Sequence, residues 1–241
     1  MIIVGTSAIA AEAAKWFAGE GARLFLTGRD RGKVTAVCDD LRVRGALQVE
    51  SMELDVTHIA KHRDLLEAAI ARLGGLDVAL IAHGTLPDQR LAQESVEYAL
   101  QAIATNFTGT IALLTLLANY FEAQRRGCIA VISSVAGDRG RQSNYLYGSA
   151  KGGVDHFLQG LRNRLFPAGV SVVTLKPGFV DTPMTANFRK NPLFTSAAGA
   201  GRAVHRAIQR RRDVVYIPWF WRPIMTLIRL VPEAIFKRLH L

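Results

Sequence analysis

The chain has 241 residues, 49% of them hydrophobic, a formal net charge of +10 and two cysteines. This length suits one large α/β domain or two small ones, and Cys38 and Cys128, which lack metal-ligand spacing, favour buried thiols in a reducing compartment over a disulfide or zinc scaffold. The charge is uneven: residues 202–241 hold nine Lys/Arg and two acids, while the rest of the chain carries only +3. With no nucleic-acid module in view, that tail suits an anionic membrane surface or substrate, or a solvated basic helix, better than nucleic acid.

In chain order, apolar runs at 2–5, 22–27, 47–54, 76–82, 128–133, 170–175 and 214–217 predict strands. Helix-period segments alternate with them at about 8–19, 31–44, 58–73, 94–124, 145–166 and 196–210. This alternation predicts an α/β, doubly wound, Rossmann-like parallel sheet in a single domain, residues 1–218, with an amphipathic tail at 219–241. The chain opens directly in the strand MIIVG, which leaves no room for a signal peptide. No stretch of about 18 uncharged apolar residues stands out, so no spanning helix is expected. The expected location is the cytoplasm, with a peripheral position at the inner face of the cell membrane left open.

The first strand leads into GTSAIA, where Gly5 permits a tight turn and Thr6, Ser7 and Ile9 bring backbone N–H groups to a helix start. Such a turn cradles a pyrophosphate. The second strand ends in TGRD. Arg29 there suits a ribose 2′-phosphate, so NADP(H) is favoured and NAD(H) stays possible, with Asp30 as an alternative ribose ligand. Asp55 and Val56 close the third strand, where an adenine would lie; Asp55 is equally suited to capping the helix near Thr57. After the fourth strand comes IAHG, with Ala82, His83 and Gly84; packing is the expected role of His83.

The most telling stretch is SSVAGDRGRQSNYLYGSAK. Tyr147 and Lys151 stand four apart and share one helix face, about 6 Å along the axis. A tyrosine pKa near ~10 is too high for easy proton exchange at neutral pH. A lysine ammonium beside it is expected to lower that pKa. Ser134, arriving from a buried strand, is placed to hold a substrate oxygen against Tyr147. Ser133 and Tyr145 are rivals, but only Tyr147 has a lysine four residues on. Residues 183–200 lack periodicity and predict a loop or lid over the site. No metal site is expected.

These residues together resemble the short-chain dehydrogenase/reductase family, from the first strand to about residue 217. The resemblance rests on Asn106 in TNFTG, Ser134, Tyr147 with Lys151, and Pro177-Gly178 followed by Val180 and Thr182 in PGFVDT. It implies that Tyr147 is the general acid/base, that Lys151 also binds the nicotinamide ribose, that Asn106 holds a relay water, and that Val180 and Thr182 fix the carboxamide. The sequence departs from the family at VGTSAIA, where alanines replace two glycines and the loop is one residue shorter. Within the family, IAHGTLPDQ, KPGFVDTPMT and the tail are similar to the decaprenylphosphoryl-2-keto-ribose reductase subgroup, which implies a keto-sugar carried on a polyprenyl-phosphate lipid. A soluble keto or hydroxy compound is the alternative substrate, and a non-catalytic nucleotide-binding scaffold the alternative function. Apolar residues beyond one face of two helices, Ile103, Phe107, Ile111 and Leu114 with Phe157 and Leu161, lead by the same resemblance to an expected homodimer or homotetramer.

In the tail, polar residues recur at 222, 226, 229, 233 and 237 opposite Ile224, Leu227, Ile228, Val231, Ile235 and Leu239. Trp219, Phe220 and Trp221 precede them. This pattern fits a helix lying in a membrane surface, or one packed on the domain or a partner. Pro232 is expected to kink or divide it.

Overall fold

In the computed structural model, which describes residues 1–239, seven parallel strands form one sheet. They are β1 (Ile2–Val4), β2 (Arg23–Gly28), β3 (Gln48–Glu53), β4 (Val78–Ile81), β5 (Cys128–Ile132), β6 (Ser171–Pro177) and, at the edge, Val214–Ile217. The order is β3-β2-β1-β4-β5-β6 and then that edge strand. β1 pairs with both β2 and β4, Ile3 lying opposite Leu26 and Leu80. The order therefore reverses at β1, and in such sheets the carboxyl ends of the strands at the reversal form a crevice.

The central strands β1, β4 and β5 are continuous apolar runs because both faces are covered. On one face, α1 (Ala8–Gly19) and α2 (Arg31–Val43) pack over Ile3, Leu24, Leu26 and Val173. On the other, α3 (His62–Leu73) and two longer helices pack over Ile2, Phe25, Ile129 and Val172. The starts of α1 and α2 are capped by short polar side chains: Ser7 accepts from the Ala10 N–H and Asp30 from the Lys33 N–H.

Two expected elements are redrawn. The helix foreseen at 94–124 begins earlier, as α4 (Gln89–Glu94), and breaks at Ser95, whose extended backbone and hydroxyl cap α5 (Val96–Ile103). A π turn at Ala104–Thr108 joins α5 to α6 (Gly109–Gln124). The loop foreseen at 183–200 holds a 3₁₀ turn, Pro183–Thr185, and ends in structure. β7 (Val180–Asp181) pairs with β8 (Thr195–Ser196), and Ser196 caps α8 (Ala197–Gln209). The edge strand Val214–Ile217 follows as β9.

Residues 96–124 form 29 helical residues, apolar and long enough by composition to cross a membrane, contrary to expectation. Leu113, Leu114, Leu117, Ala118 and Phe121 of this helix are buried in the core, which accounts for the apolar content. The set expected on a subunit surface is also corrected. Leu114 and Leu161 point into the core, while Ile103, Phe107, Ile111 and Phe157 are half-buried. A 3.6-residue repeat does not say which apolar stripe meets the sheet.

The tail is α9 (Trp221–Leu230) and α10 (Glu233–Phe236), divided at Val231-Pro232. Its inner residues Trp221, Met225 and Phe236 are buried, and Trp221 and Met225 pack with Val135 and the half-buried Phe179 and Tyr216. Arg139 holds the end of α9, donating to the carbonyls of Ile228 at 2.8 Å and Val231 at 2.5 Å. Its guanidinium also pairs with Glu233 at 2.9 Å and lies 3.7 Å over the Phe236 ring. Leu227, Leu230, Ile235 and Leu239 stay exposed. His240 and Leu241, the last two residues of the expected tail, lie outside the described residues.

Candidate active site

A cleft of about 550 Å³ opens at the carboxyl ends of β1, β4 and β5, where the strand order reverses. Gly5, Thr6, Ser7 and Ile9 line it from the first turn, Arg29 from the end of β2, and Asp55 with Val56 from beyond β3. Ala82 and Gly84 form its floor after β4. Ser134, Tyr147 and Lys151 stand on one wall, and Pro177, Gly178, Val180 and Thr182 on another. Asn106 alone of the expected site residues is absent from the wall.

The nucleotide end is built by backbone approach. Gly5 has φ +104°, and a Cβ there would come within 2.6 Å of the His83 backbone nitrogen. No other residue fits that turn without displacing the chain just after β4. At Gly84, φ is +155° and a Cβ would come within 2.9 Å of Asn106 Oδ1. Ala8 and Ile9, in the first turn of α1, also border the cleft. First-turn N–H groups lack carbonyl partners within the helix and carry its partial positive charge. Ala10, where the family has glycine, is buried in the core. Close approach of helices comes instead from Gly201 on α8, whose Cβ would meet that of Glu12 at 2.5 Å. A glycine cradle beside a helix start therefore fits a dinucleotide pyrophosphate despite the altered loop. Arg29 is exposed at the same end, with Lys33. Asp30 is engaged as the α2 cap and pairs with Lys33 at 3.6 Å. Asp55 accepts from the Thr57 N–H at 2.9 Å and the Thr57 hydroxyl at 2.7 Å, bonds that hold its carboxyl below the usual range. Its turn-forming role is thus realised at the cleft edge.

The chemical end is built around α7 (Tyr145–Leu165). A short 3₁₀ turn, Val135–Gly137, follows Ser134 and packs directly on this helix. Three glycines allow it: a Cβ on Gly148 would lie 2.8 Å from the Ala136 oxygen, and Gly137 and Gly152 meet backbone to backbone. Their signal was the run of small residues around Tyr147 and Lys151. Tyr147 and Ser134 line the cleft together, and Lys151 Nζ lies 5.7 Å from the Tyr147 ring centre. Lys151 donates to the Ile132 carbonyl at 3.1 Å. Tyr145 is exposed on the surface. Ser133 also borders the cleft but is buried, its hydroxyl donating to the Lys151 carbonyl.

The electrostatics differ from expectation. Burial pushes the Tyr147 phenol up to about 12, partly offset by Ser134. Burial lowers Lys151 to about 8, opposed by the Asp155 carboxylate. Desolvation disfavours both charged forms and outweighs the attraction foreseen between them. Sequence reasoning missed the charges behind this pair. Asp155, one turn beyond Lys151, bonds Lys176 at 2.8 Å; Lys176 also bonds Asp138, which accepts from the Tyr216 hydroxyl at 2.9 Å. Buried charges persist when so paired.

Asn106 lies buried in the π turn. Its Nδ2 donates to the Ala102 carbonyl at 3.0 Å and its Oδ1 accepts from the Thr85 N–H at 3.0 Å. The side chain thus secures the backbone beside Gly84. His83 borders the cleft and packs against α6, its Nε2 within 3.0 Å of the Thr110 hydroxyl and its Nδ1 buried with no hydrogen-bond partner among the described residues. Burial, reinforced by Lys151, lowers its pKa to about 3.

Fold and site define a nucleotide-binding α/β oxidoreductase. The short chain dehydrogenase family model matches residues 1–193. An uncharacterized oxidoreductase of Mycobacterium tuberculosis is 35% identical over 239 residues, covering 99% of this chain and 96% of that one. An uncharacterized oxidoreductase of Streptomyces coelicolor is 31% identical, covering 99% and 94%. A crystal structure of an actinorhodin polyketide ketoreductase variant with NADPH superposes with a TM-score of 0.80, covering 90% of this chain and 95% of that chain at 21% identity; it shares the fold. The chain belongs to the short-chain dehydrogenase family. It is an NAD(P)-dependent oxidoreductase of that family.

Proposed function

We propose that this protein is an NADPH-dependent reductase of a ketone, with Tyr147 as the general acid. A bound nicotinamide dinucleotide supplies the hydride. The observation that carries the reading is the placement of Tyr147, Ser134 and Lys151 together on one cleft, with Lys151 Nζ 5.7 Å from the Tyr147 ring centre. The Ser134 hydroxyl holds the substrate oxygen beside the Tyr147 phenol. A phenol held at about 12 stays protonated at neutral pH and so carries the proton that a reduced carbonyl oxygen must receive. Lys151, still largely cationic near pH 7, stabilises the phenolate left after transfer and reaches toward the nicotinamide ribose. Asn106 supports the relay by fixing the Gly84–Thr85 backbone. Val180 and Thr182 border the carboxamide end. Arg29 favours the 2′-phosphate of NADP(H).

The substrate reading is a keto-sugar on a polyprenyl-phosphate lipid, supported by the tail pattern and the subgroup resemblance. The protein then works in the cytoplasm, with residues 219–241 making peripheral contact at the inner face of the membrane, as a homodimer or homotetramer. A soluble keto compound is the second reading, supported by the burial of Trp221 and Met225 against the domain. The test is NADPH oxidation with soluble keto-sugars and with keto-sugars in a polyprenyl-phosphate extract. Turnover with the lipid-borne substrate supports the first reading, turnover confined to soluble ketones the second. Failure to reduce any ketone while binding NADPH overturns both.

A further inference from the structure

A second cleft, of about 560 Å³, lies between β9 and α9, away from the catalytic residues. Arg211 and Arg212 border it at the start of β9, and Arg222 and Arg229 project from α9 with Thr226 between them. Positions 222, 226 and 229 share one helix face. All four arginines are exposed. None has a carboxylate partner among the described residues. The one acid on the cleft wall, Asp213, pairs with Arg162 at 3.5 Å. Four guanidiniums around one opening repel one another unless an anion sits between them, and their planar donors match phosphate oxygens. Beside this stripe on α9 runs a second, apolar ridge. Leu227 and Leu230 are 68% and 72% exposed, and Trp219, just before the helix, is 77% exposed. A phosphate-binding cleft flanked by apolar side chains and an interfacial tryptophan matches a lipid surface, where headgroup phosphate and acyl chain lie side by side.

We infer that the cleft between β9 and α9 binds the phosphate of an anionic lipid headgroup, with Leu227, Leu230 and Trp219 entering the adjoining acyl layer. Trp221, the first residue of α9, packs against Gly178 on the catalytic cleft wall. Docking through α9 therefore bears on the elements that frame the active site. The inference rests on the peripheral-membrane part of the proposed function but not on its chemistry, and the two are measured separately.

The test is co-sedimentation of the full-length protein with phosphatidylglycerol vesicles and with phosphatidylcholine vesicles. Wild type is expected to bind the anionic vesicles and to bind neutral ones roughly tenfold or more weakly. Arg222→Gln with Arg229→Gln is expected to lose most of that binding, as is Leu227→Ser with Leu230→Ser. All four positions are exposed, so circular dichroism should match wild type. Reduction of a soluble ketone, if the catalytic reading holds, should be unchanged in both variants; that assay fails independently of the vesicle result. Equal binding to both vesicle types, no vesicle binding, or unchanged binding by the arginine variant overturns the inference. Binding of inorganic phosphate without vesicle affinity assigns the cleft to a soluble phosphate and overturns it as well. Dissociation of an oligomer in the arginine variant, seen by sedimentation velocity, assigns the face to a second copy of the chain with the same consequence.

Discussion

Replacing Arg139 with Ala should release the C-terminal tail while leaving the sheet intact. Its side chain is 14% exposed, and its partner Glu233 is 77% exposed. An ion pair with so exposed an acid contributes little, about 0.5 kcal/mol or less. The larger contributions are the charged donations to the carbonyls of Ile228 and Val231, roughly 1.5 kcal/mol each, and the face of Phe236, about 1 kcal/mol. Water recovers part of this once the carbonyls are exposed, so a net loss of about 2–3 kcal/mol is expected. Taken up locally, that is a roughly 30- to 150-fold fall in hydrogen-exchange protection across 225–236. Spent on the whole fold, it would lower Tm by roughly 4–12 °C. The local outcome is expected, because Trp221 and Met225 still anchor the start of α9. Arg139→Lys should recover less than half the protection, since an ammonium lacks the fork that reaches two carbonyls. Hydrogen exchange read by mass spectrometry decides. Unchanged protection of 225–236 in Arg139→Ala would refute the reasoning.

Three further outcomes are expected. Arg29→Ala should raise KM for NADPH roughly tenfold while leaving KM for NADH within about twofold, checked by steady-state kinetics with both cofactors. The pH profile of kcat/KM for reduction should fall as pH rises past about 8, where Lys151 loses its proton, with no descent set by Tyr147 below about 12; a plateau through pH 10 would contradict a charged role for Lys151. His83 has a folded-state pKa depressed to about 3, so the unfolded chain takes up more protons as acid is added. Stability from this group is therefore full above about pH 6.5 and is lost as pH falls toward 3. His83→Asn should remove up to about 3 kcal/mol of the stability lost between pH 6.5 and 4, as seen in urea unfolding at a series of pH values.

Much of this molecule is legible in its sequence because its signals are local. Strands buried on both faces are unbroken Val/Ile/Leu runs, and each bound falls within a residue or two of the apolar run. Tyr147 and Lys151 share a helix face by spacing alone, and Gly5 and Arg29 follow strand ends. What escapes depends on partners distant in the chain. The Asp155–Lys176–Asp138–Tyr216 network joins β6, α7, β9 and the turn after Ser134, and no spacing rule links them. The raised Tyr147 pKa escapes for the same reason: helix spacing predicts a neighbouring ammonium but not the burial that overrides it. Asn106 is expected in the site, yet the π turn directs its amide to Ala102 and Thr85 rather than into the cleft. The tail pattern registers two faces, and only the fold shows which one Trp221 and Met225 commit to the domain.

The most direct test of the proton-transfer assignment is turnover by Tyr147→Phe in the full-length protein, with NADPH binding followed in parallel by nicotinamide fluorescence. Removing the phenolic hydroxyl should cut kcat for ketone reduction by roughly 10²–10⁴-fold while Kd for NADPH changes by less than about threefold. Turnover in Tyr147→Phe within a fewfold of wild type would contradict the assignment of Tyr147 as the acid.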